Sequence, residues 1–187
     1  KIASVDVQGN ITAHTIGETS IYAISEENPN AKSECKVTVV REMEDSEIHF
    51  DSSLQINGFE ISGIDYNENK VSDIKGKITT DLDIEIVNNK NETLKENDLV
   101  GTGSKVRIKE NGNVLREYLI LIYGDVNGDG KINSIDLLVL QRHILEIEKF
   151  DGIYLKAANV RKDGKKPTSV DLLLIQRHIL GLQIIEQ

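Results

Sequence analysis

The chain has 187 residues, with aromatics at 4% and no Trp, which is long enough for two or three small domains whose cores rest on Ile, Leu and Val. Its formal net charge of -9 argues against nucleic acid as a partner, because phosphate contacts depend on clustered Lys and Arg. The single cysteine, Cys35, excludes an intrachain disulfide and a cysteine-based zinc site, and no apolar run approaches the ~20 residues that a membrane-spanning helix needs, so no membrane insertion is expected.

The sequence starts inside a strand-like pattern, without Met or a signal segment, and is expected to be cut from a longer polypeptide. Over residues 1–41 the apolar period is two: ASVDVQGNITA, TSIYAISE and ECKVTVV read as strands, with Gly9-Asn10 and Pro29-Asn30 as turns. These strands are too few to close a sandwich alone. Residues 42–123 give a second short-strand region, with FEISGI, DIEIV, SKVRIKE and VLREYLILIY as strands. Asn111-Gly112 is a hairpin signal, because both residues accept positive φ. Lys70 to Ile78 is expected to hold a short helix, weakened by Gly76.

After Tyr123 the period becomes about 3.6, and the chain repeats itself. Ile135 to Leu145, IDLLVLQRHIL, recurs as VDLLLIQRHIL from Val170 to Leu180. Two near-identical helices are expected to pack about a pseudo-twofold axis. Leu137, Leu140 and Ile144 on one helix, with Leu172, Ile175 and Ile179 on the other, form the expected core stripes. Leu138, Val139, Leu145, Leu173, Leu174 and Leu180 are left over, more apolar surface than two helices can hide, and this suggests a partner. His143 and His178 hold the same repeat position, which points to shared packing.

The segment before the first helix carries oxygen donors at alternating positions around a turning Gly130. A hard cation such as calcium takes roughly six to eight oxygen ligands, and this spacing wraps them around one point. Asp125, Asn127 and Asp129 are the expected side-chain ligands, Lys131 offers its backbone carbonyl, Asn133 acts directly or through water, and Asp136 closes the sphere. Metal binding is expected to order the helix that begins near Ser134.

The second loop is degenerate. Asn159, Asp163, Gly164, Lys165 and Asp171 keep parts of the pattern, but Arg161 stands where an oxygen belongs and one extra residue displaces the closing acid. Either the Arg161 guanidinium replaces the ion, reaching Asp163 or Asp171 as a forked partner, or Arg161 points to solvent and the loop holds calcium weakly.

The first loop, its opening Gly124-Asp125-Val126-Asn127-Gly128-Asp129-Gly130, its short closing acid Asp136 and the repeated loop-helix unit resemble type I dockerins, over about a third of the chain. The resemblance implies a calcium-dependent docking module for cohesin, the scaffold receptor. Its contact positions, carried over by motif, are Ser134, Ile135, Gln141 and Arg142, with Ser169, Val170, Gln176 and Arg177 as symmetry mates. The likeness of the two sets implies two docking orientations about 180° apart. Ile135 and Val170 depart from the Ser or Thr that many dockerins carry there.

Val5-Asp6, Gln8 to Ala13 and Cys35 to Val39 resemble the second half of a bacterial immunoglobulin-like repeat, leaving these strands to pair with the next domain or another chain. Val100 to Val106, followed by a strand running into Gly124-Asp125, looks like the companion module that often precedes dockerins. The expected fold is therefore multidomain: mainly β modules over 1–41 and 42–123, then an all-α module over 124–187 with paired EF-hand-like motifs. Residence is expected outside the cell, on a bacterial surface, where free calcium fills such sites.

No catalytic site is expected. Neither GxSxG nor HExxH occurs, and Gly101-Thr102-Gly103 lacks the Lys and helix of a phosphate loop. The competing reading is a structural one, a calcium-stiffened cap packed on the preceding β module without any cohesin.

Overall fold

The computed structural model describes residues 1–187 and divides them into two compact units, Lys1–Met43 and Glu44–Gln187. In the first unit, strands β1 (Ala3–Val5) and β2 (Ile11–Ala13) form one antiparallel pair, and β3 (Gly17–Ile24) and β4 (Lys32–Val39) form another. The run ASVDVQGNITA is thus a hairpin. Gly9 supplies φ 87° at its turn, and the Asp6 carboxylate accepts the N–H groups of Gln8 and Asn10.

The second unit opens with β5 (His49–Phe50), β6 (Gln55–Asn57), β7 (Glu60–Ser62), helix α1 (Val71–Gly76) and β8 (Ile78–Thr79). Three longer strands follow, β9 (Asp83–Val87), β10 (Lys105–Glu110) and β11 (Asn113–Ile120). The main sheet runs β6-β7-β11-β10-β9, antiparallel except for the β7 and β11 pair. Alternation explains its two faces. Val106, Ile108, Tyr118 and Ile120 are buried with Ile61, Ile86 and the α1 residues Val71 and Ile74. Arg107 pairs with Glu117 at 2.8 Å on the opposite face.

Asn111 and Gly112 join β10 to β11 with φ 51° and 83°, as the sequence requires of a tight turn. The final expected strand stops at Ile120 rather than Tyr123. Beyond it the Asp125 N–H folds back on the Ile122 carbonyl and starts the acidic loop, so no ladder continues.

Three helices complete the unit: α2 (Ser134–Ile144), α3 (Gly152–Ala158) and α4 (Ser169–Ile179). The short α3 has no clear sequence signal, because its 7 residues carry apolar side chains at Ile153, Leu155 and Ala157, two apart rather than at helical spacing. Val126, Leu140, Ala158, Ile175 and Ile185 form the helical core. Val139, expected as surplus surface, instead packs on that core, as Phe150 and Val160 do. Ile179, expected inside, is 36% exposed at the end of α4.

Candidate metal centre and helix faces

Each long helix begins with the same device. Asn133 and Thr168 are the N-caps, accepting the N–H groups of Ile135 and Val170, while Asp136 and Asp171 accept the cap N–H groups in return. Both acids are fully buried. The closing residue of each loop therefore also fastens the helix that follows it.

In the first loop Asp125 is fully buried, with its two oxygens held separately. Oδ1 accepts the N–H groups of Gly128 at 2.9 Å and Asp129 at 3.1 Å. Oδ2 accepts those of Thr102 at 2.7 Å and Gly130 at 3.1 Å. Asp136 accepts from Val126 at 2.8 Å and Asn127 at 3.2 Å as well as from its cap. Asn127 and Asp129 each receive the N–H two residues on, and the Asn127 amide donates to Asp129. Gly128 and Gly130, with φ 76° and 77°, let the backbone wind this tightly.

Two carboxylates without a cationic side chain between them are costly in the interior. Burial pushes the Asp125 carboxyl up to about 7, against the N–H of Thr102, and the negative charge of Asp136 adds to the rise. Asp136 is raised by burial too, partly offset by the N–H groups of Asn133, Asn127 and Val126. A divalent cation would relieve this charge. No three His, Cys, Asp or Glu side chains converge on one point, because Asp129 is exposed and turned toward Asn127. What the loop offers is the oxygens of two buried acids, Asp125 and Asp136, of Asp129 at the rim and of the Asn127 and Asn133 side chains, hard donors of the kind calcium takes.

The second loop is built around Arg161. Its Nε donates to Asp171 Oδ1 at 3.1 Å, its Nη2 to Asp171 Oδ2 at 2.9 Å and to Thr168 at 3.2 Å, and its Nη1 lies 3.3 Å from Asp163. The hydrogen bond to Asp171 is the main cause that raises the Arg161 pKa. Asp163 is lowered, first by the Lys165 N–H and also by the Arg161 charge. Asn159, in the place of Asp125, is buried with its side-chain oxygen unpartnered. The extra residue falls before the cap, where Pro167 is buried.

The eight candidate contact residues, Ser134, Ile135, Gln141, Arg142, Ser169, Val170, Gln176 and Arg177, are all exposed along α2 and α4. Beside them Leu138, Leu145, Leu173 and Leu180 are at least half exposed, whereas Leu174 is half-buried. One difference breaks the symmetry: Arg142 Nε is 3.0 Å from Glu148 on the first helix. His143 and His178 do share a packing role. Each Nδ1 accepts the N–H seven residues on, from Phe150 at 3.2 Å and Ile185 at 3.1 Å.

A family model described as the dockerin type I domain matches residues 123–182. No curated protein matches the chain, and no solved structure does.

Proposed function

We propose that residues 124–187 are a calcium-dependent docking module that carries its parent secreted enzyme or surface protein to a cohesin. The observation that supports this most is the loop-helix repeat itself: a metal-type loop at the start of α2, its twin at α4, and equivalent exposed faces on both helices. Calcium is held by Asp125, Asn127, Asp129, Lys131, Asn133 and Asp136. It neutralises the buried acids and so fixes the helix that presents Ser134, Ile135, Gln141 and Arg142. Arg161 serves as the resident cation of the second loop, which leaves one calcium per chain. Residues 42–123 act as a companion module and residues 1–41 as part of an immunoglobulin-like repeat, and the protein works outside the cell.

The contacts between the first loop and residues 100–104 suit the competing cap reading. The exposure of all eight contact positions favours docking. A binding assay against a panel of cohesins, with calcium and with chelator, tests the choice. One cohesin captured only with calcium is expected, with Ile135→Glu or Val170→Glu alone weakening it less than about threefold and the pair abolishing capture. Failure with every cohesin leaves the cap as the better account.

A further inference from the structure

We infer that the loop at residues 100–104 and the side chain of Asn69 are positioning elements of the calcium loop, so that the β module sets part of its calcium affinity. This rests on the calcium-binding reading above. The first contact is the Thr102 N–H, donated at 2.7 Å to Asp125 Oδ2 from outside the metal loop. Thr102 and Asp125 are both fully buried, and Thr102 is itself fixed by its hydroxyl, which bonds the backbone of Ile122. One oxygen of the leading ligand is therefore oriented by a donor that an isolated helical module lacks.

The second contact is the Asn69 amide. It donates to the Gly130 carbonyl at 2.7 Å and to the Val100 carbonyl at 3.0 Å, and Asn69 is 1% exposed. A single side chain thus ties the turning glycine of the metal loop to the start of the 100–104 loop. The third is the backbone approach at Gly101, where a Cβ would collide with the Gly128 carbonyl and the Gly130 nitrogen. A Cβ on Gly128 would in turn strike the Thr102 carbonyl. The loops fit only because glycine faces glycine.

Donors that orient a metal ligand from behind lower the ordering cost when the ion arrives, and their loss typically weakens affinity 10- to 100-fold. Coupling of this kind is reciprocal, so calcium must also tighten the seat of residues 100–104.

Calcium titration calorimetry on the whole chain tests the inference, with Gly101→Ala and Asn69→Ala as the variants and the buried Ile108→Ala, farther along β10, as a β-core control. The expected result is calcium binding about 10- to 100-fold weaker in Gly101→Ala and Asn69→Ala, unchanged within about threefold in Ile108→Ala, and slower exchange of the Thr102 amide when calcium is added to the wild type. Should Gly101→Ala fail to fold, Asn69→Ala decides. Unshifted affinity in the variants, or an equal loss in Ile108→Ala, overturns the positioning role alone. A wild-type chain that binds no calcium removes the docking reading as well.

Discussion

The guanidinium of Arg161 grips the Asp171 carboxylate with both prongs, Nε to Oδ1 at 3.1 Å and Nη2 to Oδ2 at 2.9 Å. In the first loop the equivalent carboxylate, Asp136, has only backbone N–H partners. Two copies of one motif thus meet the same problem, a buried acid at the helix start, differently: with a guanidinium in one loop and with backbone N–H groups in the other.

Replacing Arg161 by Met should therefore lower the thermal midpoint even in saturating calcium. The sign with pH follows from Asp163, whose folded pKa is depressed below its ordinary value. The stability it contributes is present above that ordinary value and is lost as pH falls through the folded one. Melting curves of wild type and Arg161→Met should differ at pH 7 and converge toward pH 3. A constant gap across that range would place the Arg161 contribution outside these acids.

Asp125 gives the opposite sign. Its folded pKa is raised to about 7, so the metal-free folded state holds an extra proton between the ordinary carboxyl value and 7, and stability is lost as pH rises through that window. Asp125→Asn should make the chelator-treated chain more stable than wild type at pH 8 in denaturant titrations. The same variant should lose its stabilisation by calcium. A wild type that outlasts Asp125→Asn in chelator at pH 8 would show that the buried charge costs little.

The turn-rich loop before α2 could be read from residue spacing, because Asp and Asn alternate there around the turning Gly130. The repeat located both helices, and the Arg161 fork was one of the two arrangements the sequence allowed. Hidden from the sequence was everything set by long-range contact. Val139 is indistinguishable from Leu138 by composition, yet it packs against a core to which the distant Ala158 and Ile185 contribute. Thr102 reaches Asp125 across 23 positions through a backbone N–H, which leaves no side-chain signal. The glycines flanking Thr102 were the visible trace of that approach.

Glu146 offers a test of the repeat at the helix ends. It follows α2 with φ 58°, while its counterpart Gly181 follows α4 with φ 69°. Both N–H groups return to a histidine carbonyl, so the two ends share one geometry that suits glycine and strains a side chain. Glu146→Gly should raise stability by about 0.5–1 kcal/mol in chemical denaturation. The reverse change, Gly181→Glu, should lower it by a similar amount.

His178 extends the argument to the residues after α4. Burial lowers its pKa, partly offset by a hydrogen bond with the Gln183 backbone, and its neutral Nδ1 accepts the Ile185 N–H. A histidine with a depressed folded pKa contributes stability that is present above its ordinary value and lost as pH falls. The protection of the Ile185 amide from exchange should fall as pH drops toward 5, and His178→Ala should abolish that pH dependence.

Calcium titration of the chelator-treated chain, followed by calorimetry with the helical circular dichroism signal recorded alongside, tests the central claim most directly. One equivalent of calcium should bind, with a rise in helix signal as α2 is fastened through Asp136. A flat isotherm, or binding with an unchanged helix signal, would contradict a metal-shaped docking face.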